Sequence, residues 1–136
     1  MKLNPDQMSE LIIAATEVRQ WSYSPYSHYA VGAAVLTNSG KIYDGVNIEN
    51  AAYPTTICAE RVAVYKAISE GERGFEAIAI VTENAGSPCG SCRQVMAEFG
   101  LETIVLLADL NGQIRLQTTV ADLLPHAFTP QDLPHH

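Results

Sequence analysis

Long apolar runs are missing from this chain. Although 47% of its residues are hydrophobic, no window approaches the roughly 18 consecutive apolar residues that a membrane-spanning helix needs. The opening residues, Met1-Lys2-Leu3-Asn4-Pro5-Asp6, also lack the apolar stretch of a secretory signal. Both absences predict a soluble protein of the cytoplasm with no membrane partner. Positive charge is scarce: eight Lys and Arg stand against 15 Asp and Glu, for a net charge of -7. The basic residues form no run. Such a surface repels phosphate backbones, which argues against DNA or RNA as partner or substrate. Cysteine is sparse and odd in number. Three cannot all pair within one chain, which in an intracellular protein points to metal binding or reactivity and away from a disulfide framework. Repeats, low-complexity tracts and linkers are also lacking. The 136 residues therefore read as a single domain, 1–136, long enough to bury a core without staples. The terminal His135-His136 pair is left out of the argument.

What is present is a clear alternation of helix and strand patterns. Asn4, Pro5 and Asp6 are start signals for a helix whose apolar stripe is Met8, Leu11, Ile12, Ala15 and Val18. Ser24-Pro25-Tyr26-Ser27 is a loop. Tyr29 to Thr37 and Lys41 to Val46 read as strands joined by a turn at Asn38-Ser39-Gly40. After a loop over 47–57, Cys58 to Glu70 reads as a helix stopped by Gly71. Phe75 to Thr82 is a buried strand, Cys89 to Phe99 a helix ended by Gly100, and Thr103 to Ala108 a second buried strand. Ile114 to Gln117 is an edge strand after the Asn111-Gly112 turn, followed by a short helix near Val120 to Leu124. The strands at 75–82 and 103–108 flank a helix, so they should run parallel through a right-handed crossover. The opening hairpin adds antiparallel pairing. The expected fold is α/β, a mixed sheet with helices on both faces.

Two short pieces carry the chemistry: Cys58-Ala59-Glu60 and Pro88-Cys89-Gly90-Ser91-Cys92. Each lies where a loop feeds a helix start. Cys89 and Cys92 are three apart and share a helix face, while Cys58 must be brought to them by the fold. Three thiolates can hold one zinc ion at about 2.3 Å each, and three protein ligands plus water is the pattern of a catalytic rather than a structural zinc site. Zinc lowers the pKa of its water toward neutrality. Three thiolates leave a net -1 in that shell. Two helix N-termini offset it, each equivalent to about half a positive charge, and Arg61 and Arg93 are placed to donate to the sulfurs. Glu60 is the candidate proton shuttle. It is turned about 200° from Cys58 around a helix axis, yet both can reach the space ahead of the first turn. A lone Cys is usually a buried hydrophobe, and a lone C-x-x-C is often a structural half-site or a redox pair. A redox pair leaves Cys58 and Glu60 unexplained.

With these motifs the sequence resembles the cytidine deaminase family in its small three-cysteine form, with Cys58 in the His position of the general zinc-deaminase signature H-x-E…P-C-x-x-C. The resemblance runs through Ser24-Pro25-Tyr26-Ser27, Val31-Gly32-Ala33-Ala34, Asn47-Ile48-Glu49-Asn50-Ala51-Ala52-Tyr53, Ile57-Cys58-Ala59-Glu60-Arg61, Pro88-Cys89-Gly90-Ser91-Cys92-Arg93-Gln94 and Leu123-Leu124-Pro125-His126-Ala127-Phe128. It implies a three-layer α/β/α fold around a five-stranded sheet. It implies one Zn2+ per chain on Cys58, Cys89 and Cys92, with Glu60 catalytic. The implied activity is hydrolysis of cytidine and deoxycytidine in pyrimidine salvage. A homotetramer with active sites shared between subunits is implied as well. By the same resemblance Asn47 and Glu49 hold ribose hydroxyls, Tyr29, Ala51, Tyr53 and Ala59 contact the nucleoside, and Phe128 reaches a neighbouring site. Two positions depart from the family pattern. Tyr29 stands where Phe is usual and adds a hydroxyl that needs a partner. His126 stands where Gly is usual.

Two other readings compete. Blasticidin-S deaminase shares the metal motifs, but the N-x-E-N-A-x-Y run at 47–53 favours a plain nucleoside. A non-catalytic structural zinc module would have no use for Glu60.

Overall fold

The computed structural model describes residues 3–134. Met1, Lys2, His135 and His136, and what was read from them, lie outside the described residues. The first helix, α1, spans Pro5–Val18. Its start is a reciprocal cap: the Gln7 amide donates to Asn4 Oδ1 at 2.8 Å, and the Asn4 amide donates to Gln7 Oε1 at 3.0 Å. Strands β1 (Gly32–Thr37), β2 (Ile42–Val46), β3 (Phe75–Val81), β4 (Ile104–Ala108) and β5 (Ile114–Thr119) form one sheet in the order β2-β1-β3-β4-β5. Only β3 and β4 pair in parallel; the other neighbours are antiparallel. Helices α2 (Ala59–Ser69), α3 (Gly90–Phe99) and α4 (Val120–Leu123) flank the strands, with short 3-10 turns at Arg19–Trp21, Tyr53–Thr55 and Pro130–Asp132.

The strand period of two sends alternate side chains to opposite faces. Along β3, Ala77, Ala79 and Val81 pack beneath Leu11, Ile12 and Ala15 of α1, while Ile78 and Ile80 face Ala63, Val64 and Ala67 of α2 and Met96 of α3. The result is the expected three-layer α/β/α arrangement, and it explains why all six residues of β1 are buried. One close approach fixes α2. A Cβ at Gly45 of β2 would lie 2.5 Å from the Ala63 amide nitrogen and 2.8 Å from the Ala59 carbonyl oxygen. The helix that begins beside Cys58 thus rests directly on the β2 backbone. Among the described residues no helix is long and apolar enough to cross a membrane.

Several boundaries differ from expectation. The strand expected from Tyr29 begins at Gly32. His28 turns the chain with φ 56°, and the Asn47 side chain takes over the pairing just after it. Its Oδ1 accepts from the Val31 amide at 3.0 Å, and its Nδ2 donates to the Tyr29 carbonyl at 2.8 Å. The last strand runs on to Thr119 because its ladder with β4 continues to Ile104. Cys58 and Cys89 are not the first helical residues but the extended residues ahead of α2 and α3, each in the N-cap position with no side-chain cap bond. Their thiols are free to point beyond the helix starts.

Candidate active site and metal centre

The two helix starts meet at one point. Cys58 precedes α2, Cys89 precedes α3, and Cys92 sits fully buried in the first turn of α3. Cys58 Sγ and Cys89 Sγ are 3.8 Å apart, Cys89 Sγ and Cys92 Sγ are 3.3 Å apart, and all three sulfurs lie within 4.8 Å of one another. Sulfurs on a tetrahedral zinc at about 2.3 Å would be about 3.8 Å apart, so these residues fit that ion. They are the only cluster of three such donors among the described residues.

Electrostatics mark the same point. Glu60 is 5% exposed. Burial, joined by the charge of Cys58, holds its carboxyl above the usual carboxylate range. The Cys58 thiol is pulled down, first by the hydrogen bond with Cys92 and further by Arg61. Cys92 is pushed up by that same bond and by burial. Arg61 Nη2 donates to Cys58 Sγ at 3.4 Å, in keeping with its expected place beside the sulfurs. Its Nε is buried without a hydrogen-bond partner.

Arg93 differs from expectation. It does not donate to a thiol. Its Nε donates to the Pro88 carbonyl at 2.8 Å, Nη1 to the Leu123 carbonyl at 2.7 Å and Nη2 to Ser87 Oγ at 2.7 Å. One residue beyond Cys92 is about 100° around the helix, which turns Arg93 toward the incoming loop and the C-terminal segment. It clamps the loop that delivers Cys89.

A cavity of about 440 Å³ opens over these groups, with Tyr29, Asn47, Glu49, Cys58, Glu60 and Cys89 in its wall. Asn47 is 8% exposed and is held by the scaffold, since its Oδ1 also accepts from Ser22 Oγ at 2.5 Å. Glu49 accepts from the Tyr26 amide at 2.9 Å, the Ser27 amide at 3.1 Å and the Ser27 hydroxyl. The Ser27 hydroxyl is the main cause holding its carboxyl below the ordinary range, so it stands ionised at neutral pH. Ser27, Thr56, Thr82 and Gly86 also line the cavity and were not singled out from sequence. Small polar residues in loops carry no periodic signal, and only the Ser24–Ser27 loop stood out.

The remaining expected contacts lie elsewhere. The Ala59 side chain is fully buried in the core beneath α2, which leaves only its backbone for a ligand. Ala51 is exposed. Tyr53 is 69% exposed, meets Tyr26 edge-on with ring centroids 5.8 Å apart, and borders an adjoining cavity with Glu49. Phe128 is 57% exposed, and its carbonyl accepts from Gln94 Nε2 at 2.8 Å. None of these four side chains lines the cavity over the sulfurs.

His126 has φ 57°, in the left-handed region that favours glycine. Left-handed backbone costs a residue bearing a Cβ about 1–2 kcal/mol, and glycine gives back part of that through the unfolded chain. His126→Gly should therefore raise stability by up to about 1 kcal/mol, read as an upward shift of the urea midpoint with an unchanged slope.

Fold and donor set together define a class: an α/β/α protein with a three-sulfur site fitted to zinc and a buried carboxylate beside it. Residues 5–108 match the family described as the cytidine and deoxycytidylate deaminase zinc-binding region, and the chain belongs to that family. It is 50% identical over 129 residues to a protein named cytidine deaminase from Sporosarcina psychrophila, covering 93% of this chain and 94% of that one. The crystal structure of cytidine deaminase from Burkholderia pseudomallei superposes with a TM-score of 0.84 at 45% identity, covering 93% of this chain and 100% of that one. A protein named blasticidin-S deaminase from Bacillus cereus is 33% identical, covering 88% of this chain and 91% of that one.

Proposed function

We infer that this protein hydrolyses cytidine and 2′-deoxycytidine to uridine and 2′-deoxyuridine with release of ammonia. The observation that carries the reading is Glu60. Its carboxyl is 5% exposed, and it borders the cavity together with Cys58 and Cys89. Zinc on Cys58, Cys89 and Cys92 supplies, when bound, a Lewis acid that makes water available as hydroxide near neutral pH. Glu60 takes one proton of the attacking water and passes it to N3 of the pyrimidine, then takes the second from the new 4-hydroxyl and passes it to the 4-amino group, which leaves as ammonia as the 4-carbonyl forms. Its raised pKa brings it nearer the operating pH, where a group both accepts and returns a proton. Arg61 and the starts of α2 and α3 offset the negative charge of the thiolates. The ionised Glu49 and the amide of Asn47 have the acceptor and donor chemistry that ribose hydroxyls require.

Residues 1–136 form one catalytic domain on this reading, acting in pyrimidine salvage in the cytoplasm. The active assembly is a homotetramer. Large apolar side chains left exposed on the single chain support it: Trp21 at 72%, Tyr53 at 69% and Phe128 at 57%.

The test is a substrate panel on zinc-loaded protein with cytidine, deoxycytidine, adenosine and blasticidin S. Ammonia should be released from the first two. Turnover of blasticidin S alone would move the substrate to that relative's activity, and release from none of the four would overturn the enzymatic reading.

A further inference from the structure

Tyr29 connects two walls of the cavity. Its hydroxyl donates to Asn84 Oδ1 at 2.5 Å. The same oxygen accepts from Thr82 Oγ1 at 3.3 Å, and Thr82 Oγ1 accepts from the Gly86 amide at 2.7 Å. Tyr29, Asn84, Thr82 and Gly86 thus form one continuous chain of hydrogen bonds, and such chains strengthen one another. On the other side, the Tyr29 amide donates to Ser27 Oγ at 3.1 Å, and its carbonyl accepts from Asn47 Nδ2 at 2.8 Å. Ser27 in turn donates to Glu49.

The segment held on the Asn84 side leads straight into Cys89. It carries Ala85 at φ 55°, a conformation that persists in a residue with a Cβ only where the surroundings hold it. The fit is close. A Cβ added to Gly86 would run into the Tyr29 hydroxyl, with Asn84 Oδ1 at 3.4 Å and Thr82 Oγ1 at 3.6 Å as its next neighbours.

We propose that the Tyr29 hydroxyl is a positioning group: it pins the loop that delivers Cys89 against the wall that carries Asn47 and Glu49, and so sets the width of the nucleoside pocket. The pocket's ligand rests on the proposed function above; the pinning itself does not. The hydroxyl is absent from Phe, so Tyr29→Phe keeps the ring and removes only the pin.

The experiment combines Tyr29→Phe, Asn84→Ala and the double variant, each read for cytidine kinetics and for hydrogen exchange at the Gly86 amide. Each single variant should raise KM roughly three- to tenfold, the range of one net hydrogen bond, and by a larger factor than it lowers kcat. Exchange at Gly86 should quicken by a similar factor. The double variant should be no worse than either single one, because both remove the same link. Gly86→Ala should be strongly destabilising beside Tyr29 and much less so in the Tyr29→Phe background. Unchanged Gly86 exchange in Tyr29→Phe, effects of the two variants that multiply, or a Gly86→Ala penalty independent of residue 29 would each overturn the proposal. If the parent protein fails to deaminate cytidine, the substrate reading falls, while exchange and the Gly86 stability comparison still decide the pinning role.

Discussion

Glu60→Gln is expected to lower kcat on cytidine by about 10²- to 10⁴-fold, the range assigned to one positioned acid–base group. Zinc content and fold should be retained. Gln matches Glu in shape, and the site around residue 60 is 5% exposed, so an amide fits where the carboxyl was. Burial already disfavours the charged form there, so losing the charge should not unfold the helix start. What disappears is the capacity to accept and return a proton. Steady-state uridine formation, with zinc measured on the same sample, separates the outcomes. A variant with near-parental kcat would remove Glu60 from the proton path. A variant that lost its zinc would show that the carboxylate acts on the metal site rather than on the reaction.

Cys92→Ser is expected to reduce zinc affinity by more than roughly 100-fold, the upper range for losing a group that merely supports a ligand. Turnover should fall to background. Cys92 is fully buried beneath the α3 start, 3.3 Å from Cys89 Sγ, and no Cys, His, Asp or Glu beyond Cys58, Cys89 and Cys92 belongs to a metal-holding cluster among the described residues. A hydroxyl there is a poorer ligand because it does not ionise as a thiol does. Chelator competition gives the affinity, and circular dichroism shows whether the sheet survives. Retention of one tightly held zinc per chain by Cys92→Ser would remove that sulfur from the site.

Much of the architecture was legible before the structure. Strands such as 75–82 and 103–108 are apolar without alternation, because α1 covers one face of the sheet and α2 and α3 the other. The loop-to-helix transitions at Cys58 and Cys89 were visible in composition, and they bring the sulfurs together as expected. Side-chain direction was not legible. Arg93 follows Cys92 in sequence, yet its guanidinium serves three acceptors on the incoming loop and the C-terminal segment and no sulfur. The start of β1 at Gly32, rather than at Tyr29, has a related reason. The Asn47 side chain, 16 residues away from Val31, replaces strand pairing with its own amide, and no local pattern announces that. Ala51, Tyr53 and Phe128 entered through family resemblance, and their exposure on a single chain is what a site completed by other subunits would require.

The central claim is that three sulfurs of this chain hold one catalytic zinc and leave a coordination position free for chemistry. X-ray absorption at the zinc edge of freshly purified protein tests it most directly. One zinc per chain is expected, with three sulfur neighbours at about 2.3 Å and one lighter, exchangeable neighbour. A shell of four protein ligands, fewer than three sulfurs, or protein purified without zinc would contradict it.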